Sequence, residues 1–292
     1  MTNIKCKICG GDCEYIDSKK GEFLSNEEFD LYYCRNCNFF FVSNPSYDKK
    51  LYDEAYYHGK GADPLINYIY EIENPDKSIR LYEYEGILKT INAISGNKKN
   101  NWLDIGCGAG GLIKYVSKNS EHNINGFDTG YGAVFAKKSG IDILTEKEYL
   151  NSKNKYDVIT AIETLEHVDN PKVFMDNIQK ALKPGGIFFF TTGNVDPIQK
   201  NIMKWNYFIP EIHICLFSEK SINNLFESVG LQYCLLSKEQ KKGWTNIYKY
   251  KILKNLHITN SSIIYNVFPW QIISNIIDKK YKLCWGIGIK KN

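Results

Sequence analysis

From residue 102 onward, short apolar runs alternate with stretches whose apolar residues recur at helical spacing. Trp102, Leu103 and Ile105 end in a glycine-rich stretch, and Leu112 and Ile113 then open a helical pattern. This order predicts a strand, a tight turn and a helix. Further apolar runs predict strands at 123–127, 141–144, 156–162, 187–192, 231–236 and 283–289. Strands that alternate with helices in this way predict an α/β fold with a doubly wound sheet.

The glycine-rich turn after the first strand has the residues of a ligand-binding loop. Glycines permit positive φ and let a ligand lie against bare backbone, while the amides of the following helix point at that ligand. NAD, FAD and S-adenosylmethionine all bind at such turns, and a plain structural turn is the alternative. Asp104 stands two residues before the first glycine, where it would repel a pyrophosphate and attract a cation. The candidate cofactor-binding residues here are Asp104, Gly106, Cys107, Gly108 and Gly110.

A second acidic position follows the next predicted strand. Asp128 lies 24 positions after Asp104, with Thr129 beside it. A carboxylate at this place can accept both ribose hydroxyls of a bound nucleoside. NAD sites use the same device, so Asp128 and Thr129 predict a nucleoside-containing cofactor without choosing between cofactors.

Three stretches resemble one enzyme family. The D-x-G-x-G-x-G spacing from Asp104, the sequence YDVITAIETLEHVDNP at 156–171 and the sequence ALKPGGIFFFTT at 181–192 resemble the class I S-adenosylmethionine-dependent methyltransferases. The likeness is to the branch with ubiquinone-biosynthesis O-methyltransferases and sugar methyltransferases. It implies a Rossmann-like sheet of seven strands and S-adenosylmethionine as cofactor. It also implies that Ile162 and Glu163, at the end of the fourth strand, line the cofactor site.

The stretch from Tyr207 to Ser218 carries the first candidate for acid–base chemistry. In sugar C-methyltransferases a histidine in a similar stretch, with a nearby Tyr and Glu, is placed as a general base. By this resemblance His213 is the first catalytic candidate here, with Glu211 and Tyr207 near it in sequence. Ile212 interrupts the adjacent Glu-His pair of that family. A structural role for His213 is the alternative.

A tyrosine-rich stretch at 46–59 supplies the second pair of catalytic candidates. Tyr52, Tyr56 and Tyr57 lie at helix-compatible spacing, and His58 follows them. One interpretation is a lid over the substrate, with Tyr57 or His58 touching the acceptor. The other is a packed helix face.

The cysteine spacing predicts a metal site near the N-terminus. Cys6-x-x-Cys9 and Cys34-x-x-Cys37 form two pairs separated by 24 residues. Four thiolates suit tetrahedral Zn²⁺ and leave no open position, so the ion would be structural. Cys13 is not expected to be a ligand. Bacterial sugar C-methyltransferases carry a similar four-cysteine module, which extends the resemblance to the start of this chain.

These features predict three regions. Residues 1–45 form a zinc-ribbon-like module, 46–98 a helical lid or linker, and 99–292 the methyltransferase domain with an insertion at 244–277. The insertion is rich in aromatic residues and isoleucine. A substrate cover, a dimer surface and a membrane-surface helix all fit its composition.

Charge and composition narrow the class of partner. Residues 238–292 hold 11 Lys and two acids, a net charge of +9, so the rest of the chain carries −5 of the total of +4. A basic segment favours an acidic partner: a phosphorylated or nucleotide-linked acceptor, an anionic membrane surface or nucleic acid. No apolar stretch reaches the roughly 20 residues of a membrane span. The first residues lack the apolar core of a signal peptide, and we expect a cytoplasmic protein.

Together these observations predict methyl transfer from S-adenosylmethionine to a small molecule. The expected acceptor is a sugar, nucleotide-activated or phosphorylated precursor of surface polysaccharide, with O-methylation favoured over C-methylation. Three other functions stay open: an rRNA methyltransferase, a non-catalytic zinc-containing scaffold and an NAD oxidoreductase. The C-terminal segment lacks arginine, and Glu163-Thr164-Leu165 stands where base methylation would need an Asn-Pro-Pro-Tyr type of sequence. Nucleic acid is therefore the less favoured substrate.

Overall fold

A computed structural model describes most of the chain. The described residues are 4–23, 27–46, 49–61, 66–234, 243–256, 258 and 284–291. Within them the strands are β1 Glu14–Lys20, β2 Glu28–Cys34, β3 Phe39–Val42, β4 Asn101–Ile105, β5 Asn123–Phe127, β6 Tyr156–Ile162, β7 Leu182–Thr192, β8 Cys215–Leu216, β9 Leu231–Cys234 and β10 Cys284–Lys290. The α-helices are α1 Glu54–Tyr57, α2 Tyr68–Glu73, α3 Arg80–Ser95, α4 Gly111–Asn119, α5 Tyr131–Lys138, α6 Glu146–Leu150, α7 Pro171–Ala181, α8 Glu219–Ser228 and α9 Trp244–Asn255.

The chain divides into two compact units. The first unit comprises Met1–Leu51, Lys147–Cys234 and Lys282–Asn292, and the second comprises Tyr52–Glu146 and Leu235–Tyr281. The first unit contains a small antiparallel sheet in the order β1-β2-β3-β8. Its fourth strand comes from residues 215–216, far along the sequence from the other three. The predicted domain boundaries at 45 and 98 remain a prediction.

The larger sheet is mixed and has the strand order β5-β4-β6-β7-β10-β9. The pairs β4–β5 and β6–β7 are parallel, and β10 pairs antiparallel with both β7 and β9. This sheet confirms the predicted α/β class. The described residues give it six strands rather than the predicted seven, because the run at 141–144 forms only one isolated bridge, from Ile143 to Gly126.

The core of the first unit is built on β6 and β7. β6 and residues 186–192 of β7 are almost continuously buried, which matches the near-continuous apolar runs of parallel strands. Phe188 and Phe190 of β7 pack on Phe226 of α8. The N-terminus of α8 is fixed by Ser218, whose hydroxyl accepts a hydrogen bond from the Ser221 amide at 3.0 Å, as its sequence position predicts.

The second unit packs helices on β4 and β5. Trp102 and Leu103 of β4 are fully buried. Helix α9 packs along α3, and Gly86 and Gly243 allow their backbones to approach closely. Helix α9 begins the predicted insertion at 244–277; most of that insertion lies outside the described residues. No helix in the described part of the chain is long and apolar enough to cross a membrane.

Candidate active site

The glycine turn between β4 and α4 adopts the conformation that its sequence predicts. Gly106, Gly108 and Gly110 have φ of 69°, 52° and 86°. A residue with a Cβ is strained at such angles, so glycine is required at these positions. Asp104 is buried at the end of β4, just before the turn. Cys107, between the first two glycines, is partly buried, and burial raises the pKa of its thiol well above the ordinary value.

Asp128 is joined directly to this turn. One carboxylate oxygen accepts a hydrogen bond from the Gly108 amide at 2.8 Å, and the other accepts from the Gly130 amide at 2.6 Å. Burial raises the pKa of the Asp128 carboxyl, and hydrogen bonds from backbone amides oppose that shift. A carboxylate has about four lone-pair sites, so Asp128 retains the capacity to accept from a ligand hydroxyl group. Thr129 follows it at the start of the loop to α5.

The Tyr57 ring of α1 packs against the glycine turn between β4 and α4, within the second unit. A Cβ placed on Gly108 would lie 3.4 Å from its ring, and one placed on Gly132 would lie 2.5 Å from it. Burial, and then the nearby charge of Asp128, raise the pKa of the Tyr57 hydroxyl well above the ordinary value. His58 is instead partly exposed, and its Nε2 lies 3.9 Å from Glu54. The structure therefore brings Tyr57, and not His58, to the glycine turn and Asp128.

The last two predicted cofactor residues belong to the first unit. Ile162 ends β6, and Glu163 follows it with a φ of +48°. A non-glycine residue in this conformation is strained, and such strain often accompanies functional sites. Two interactions hold Glu163 there, since its amide donates to the Thr191 carbonyl at 3.0 Å and to the Thr191 hydroxyl at 3.2 Å.

A buried polar cluster follows β6 in the first unit. The Tyr207 hydroxyl forms a short hydrogen bond with Glu166, and it lies 3.4 Å from an oxygen of Glu163. The other Glu166 oxygen accepts from the Thr192 hydroxyl at 2.8 Å. Burial and the charge of Glu163 raise the pKa of Glu166 to about 8. This shift favours the neutral, protonated form of the Glu166 side chain.

Two histidines adjoin this cluster with defined tautomers. The His213 ring donates through Nδ1 to the Tyr207 carbonyl, and the His167 ring donates through Nδ1 to the Ile212 carbonyl at 2.8 Å. A carbonyl can only accept, so each Nδ1 carries the hydrogen and each Nε2 presents a lone pair in the neutral ring. The two ring centroids are 4.9 Å apart, and the His213 ring stacks on Tyr207 at 4.2 Å.

This arrangement has two chemical capacities. Glu166, His167 and His213 can bring three ligand-type atoms within 4.8 Å of one another, a spacing that suits a divalent cation. A neutral imidazole can also take a proton from an acceptor group. Of these three residues, the sequence singles out only His213 as a catalytic candidate. The signal for the cluster is the close sequence spacing of two acids and a histidine at the end of a buried strand.

Glu211 has a different environment from the one its sequence position suggests. Its carboxylate is buried and accepts hydrogen bonds from the backbone amides of Glu22 at 2.6 Å and Phe23 at 3.1 Å. Both amides belong to the N-terminal module. The structure therefore places Glu211 as a link between two segments of the first unit.

The four cysteines predicted as metal ligands converge in one place. The sulfur atoms of Cys6, Cys9, Cys34 and Cys37 all lie within 4.8 Å of one another, and three of the four residues are buried. Burial raises the pKa of the Cys6 thiol to about 11, so a thiolate there at neutral pH needs a cation beside it. Four sulfur donors around one point fit tetrahedral Zn²⁺. Cys13 lies outside this set and donates to the Gly11 carbonyl at 3.7 Å.

Sequence reasoning missed a buried cation in the second unit. The Arg80 guanidinium donates to the Tyr250 hydroxyl at 2.9 Å, lies 3.4 Å from Glu83, and rests 5.1 Å from the centre of the Tyr68 ring. The signal was present, since Arg80 is one of two arginines among 37 basic residues. A guanidinium is favoured over an ammonium at buried, ring-lined sites.

Comparison with known proteins identifies the family. The model of a family described as a methyltransferase domain matches residues 79–236, more than half of the chain. The chain belongs to this family. The match includes the glycine turn, Asp128, the Glu163–Glu166 stretch and His213. It also supports the predicted enzyme class, an S-adenosylmethionine-dependent methyltransferase.

Curated relatives carry one recurrent name. The chain is 28% identical to a ubiquinone biosynthesis O-methyltransferase of Aeromonas salmonicida, over 48% of the chain and 70% of that protein. It is 33% identical to the protein of that name from Aliivibrio fischeri, over 37% of the chain and 49% of that protein. A mitochondrial relative in Dictyostelium discoideum is 32% identical over 32% of the chain and 35% of its own length. The chain thus spans about half or less of the length of the last two.

Solved structures support the fold. The plantazolicin methyltransferase BpumL, in complex with SAH, superposes with a TM-score of 0.51 and 16% identity, covering 84% of this chain and 95% of that one. The plantazolicin methyltransferase BamL gives a TM-score of 0.50 and covers 82% of this chain and 94% of that one, also at 16% identity. These likenesses confirm the predicted methyltransferase-type fold.

Proposed function

We propose that the chain transfers a methyl group from S-adenosylmethionine to a hydroxyl group of a small molecule. The observation that carries the proposal is the junction of Asp128 with the positive-φ glycine turn in the second unit. That junction offers bare backbone and a carboxylate with free lone pairs, as a nucleoside cofactor requires. S-adenosylmethionine, when bound, supplies an already activated methyl group. The enzyme's main task is then to hold the reacting groups in line.

Each candidate cofactor residue of the second unit is proposed to contact a different part of S-adenosylmethionine. Asp128 would accept the ribose hydroxyls, with Thr129 beside it. The peptide groups at Gly106, Cys107, Gly108 and Gly110 would lie against the ligand, and Asp104 would contribute negative charge near a sulfonium. Tyr57 packs against this turn, so we assign it to the cofactor side of the site. Ile162 and Glu163 of the first unit are proposed to line the cofactor site, as their sequence motif implies.

His213 is the proposed proton acceptor. A hydroxyl acceptor must lose its proton as the new bond to carbon forms, and a positioned base promotes that step. The Nε2 atom of His213 presents a lone pair, because Nδ1 is committed to the Tyr207 carbonyl. Neutral Glu166 and the Tyr207 hydroxyl lie next to it and would hold, rather than take, a proton. His58, on the partly exposed end of α1, is the weaker candidate.

The four-cysteine cluster is proposed to hold one structural Zn²⁺. Cys6, Cys9, Cys34 and Cys37 would fill all four positions of a tetrahedral ion, leaving none for substrate. The ion would join the two cysteine pairs of a module of about 45 residues, a size at which a structural metal commonly supplements the apolar core. Metal analysis of the purified protein should give about one zinc per chain.

The acceptor class rests on the names of relatives and on the proposed base. Nothing in the comparisons supports the polysaccharide precursor expected from the sequence, whereas the curated relatives are named as O-methyltransferases of ubiquinone biosynthesis. We therefore propose a hydroxyl-bearing acceptor. An acceptor screen should contain catechols and other phenols in one arm and nucleotide-linked sugars in the other, and the arm that is methylated identifies the class.

The deciding experiment is calorimetric titration of the zinc-loaded protein with S-adenosylhomocysteine. We expect micromolar binding that is lost in Gly108→Arg, since Gly108 has positive φ and a Cβ at this position would already lie 3.4 Å from the Tyr57 ring. Arginine at the exposed Ser139 serves as the matched control and should leave binding unchanged. Absence of binding in the unmodified protein would contradict the proposal and favour a non-catalytic scaffold.

A further inference from the structure

The N-terminal four-cysteine module, residues 1–45 of the first unit, makes backbone and side-chain contacts with the segment that carries the candidate base. We call residues 205–218 the histidine segment, since it contains His213. Its last part pairs with the module as β8, with Phe40 opposite Leu216 and Phe41 opposite Cys215. The Val42 amide extends this pairing by donating to the Ile214 carbonyl at 2.9 Å. A strand that begins two residues after His213 is thus part of the module's own sheet.

A second set of contacts holds the other end of the histidine segment. The Glu211 carboxylate accepts from the amides of Glu22 and Phe23, which follow β1. Lys19 of β1 donates to the Phe208 carbonyl at 2.6 Å, and its ammonium lies 5.4 Å from the centre of the Phe208 ring. Hydrogen bonds to charged groups are among the stronger ones, so these contacts fix the backbone on both sides of Ile209.

The same backbone determines how the His213 ring is oriented. The His213 amide donates to the Ile209 carbonyl at 2.7 Å, and its ring donates to the Tyr207 carbonyl. The Tyr207 hydroxyl accepts from the Gly193 amide at 3.0 Å and contacts Glu166. A shift of the backbone at 207–212 would therefore move the Tyr207 carbonyl, which keeps the hydrogen of the His213 ring on Nδ1.

We infer that the four-cysteine module positions the candidate base, and that Glu211 is the residue that transmits this effect. The inference rests on the proposed function, because it takes His213 as the base. Glu211 acts through backbone amides and touches neither cofactor nor acceptor. It is a positioning residue for the candidate base. The module does more than stabilise the fold.

The test compares three variants of the zinc-loaded, full chain in the presence of S-adenosylhomocysteine. Glu211→Ala removes both acceptor oxygens. Glu211→Gln keeps one carbonyl oxygen and tests rescue by a conservative change. Glu14→Gln is the matched control, since Glu14 also lies in the module but pairs with Arg35 and not with the histidine segment. Amide hydrogen exchange is measured over 207–214, and the tautomer of His213 is read from its ring ¹⁵N shifts at one pH.

We expect Glu211→Ala to speed exchange over 207–214 at least tenfold and to lower the share of the His213 tautomer with hydrogen on Nδ1. Glu211→Gln should give intermediate values, and Glu14→Gln should match the unmodified protein. Chelation of zinc should reproduce the effect of Glu211→Ala. Affinity for S-adenosylhomocysteine should change less than threefold in every variant, because the glycine turn and Asp128 are untouched.

The inference is overturned if Glu211→Ala leaves both the exchange rates over 207–214 and the His213 tautomer unchanged. The same result after removal of zinc would also overturn it. The proposed function fails in a different way. If the unmodified protein does not bind S-adenosylhomocysteine, methyl transfer is contradicted, while the exchange data still decide whether the module holds the segment. If Glu211→Ala does not fold, the glutamine variant and the chelation experiment decide the question.

Discussion

Replacing Glu166 with glutamine should remove a pH-dependent loss of stability. Glu166 is fully buried near Glu163, and burial raises its pKa to about 8 from the ordinary 4.5. As a neutral acid, Glu166 would donate a hydrogen bond to the Tyr207 hydroxyl oxygen. The Tyr207 hydroxyl would then donate to Glu163, whose carboxylate oxygen lies 3.4 Å from it. Glutamine has one donor group and one acceptor oxygen, so it can reproduce the hydrogen bonds of the neutral acid to Tyr207 and Thr192.

The magnitude follows from proton linkage. Between the unfolded pKa of 4.5 and the folded pKa of about 8, the folded state holds one proton more than the unfolded state. The free energy of unfolding therefore falls as pH rises through this window, by about 1.4 kcal/mol per unit where both pKa values are distant. From pH 6 to pH 8 the loss attributable to Glu166 is about 2 kcal/mol. Below pH 4 both the folded and the unfolded state hold this proton, so the contribution of Glu166 to stability no longer changes with pH.

Urea unfolding at pH 6, 7 and 8 measures this effect. The quantity of interest is the free energy of unfolding of Glu166→Gln minus that of the unmodified protein, since other titrating groups cancel in the difference. We expect this difference to rise by about 2 kcal/mol over the range. Gln at the exposed position of Glu121 is the control and should give a constant difference. A flat difference for Glu166→Gln would refute the picture of a buried neutral acid.

Three further predictions test the metal and cofactor residues. Cys37→Ser should lose zinc and lower the melting temperature, whereas Cys13→Ser should keep one zinc per chain; equal zinc contents would contradict the four-cysteine site. Asp128→Asn places the NH₂ group of asparagine opposite backbone N–H donors in a buried place. Two donors cannot pair, and a buried group left unpaired in this way costs about 1–3 kcal/mol of free energy. The variant's affinity for S-adenosylhomocysteine should fall by about 10- to 100-fold in calorimetry, and an unchanged affinity would exclude Asp128 from the site. Tyr57→Phe keeps the ring on the glycine turn, so its affinity should stay within threefold; a larger loss would show that the hydroxyl itself binds cofactor.

Local sequence signals predicted much of the fold, the glycine turn and the convergence of four cysteines. The strand at 156–162 and the glycine turn could be predicted because each depends on neighbouring residues: a continuous apolar run and a series of positive-φ positions. The four-cysteine cluster could be predicted because each C-x-x-C pair already brings two sulfur atoms together. Such features require little information about the rest of the fold.

Features that depend on distant residues were not predicted. Glu211 is a catalytic candidate by its position near His213, but the backbone partners of its carboxylate lie about 190 positions earlier in the chain, and no local pattern indicates them. The run at 141–144 has the apolar residues of a strand, yet only the backbone groups around Gly126 pair with it. The side chain of Asp142 is meanwhile engaged by Asn125. Tertiary contacts, rather than propensity, decided both outcomes.

The late arrival of β8 has a consequence for synthesis on the ribosome. Phe41 pairs with Cys215, a partner 174 residues later in the chain. At roughly 5–20 residues per second, that partner emerges about 10 to 35 seconds after Phe41. During this interval β3, which reads FFFV, is an uncovered apolar edge of the kind that promotes aggregation. A chain truncated before residue 215 should therefore depend on chaperones even when zinc is abundant.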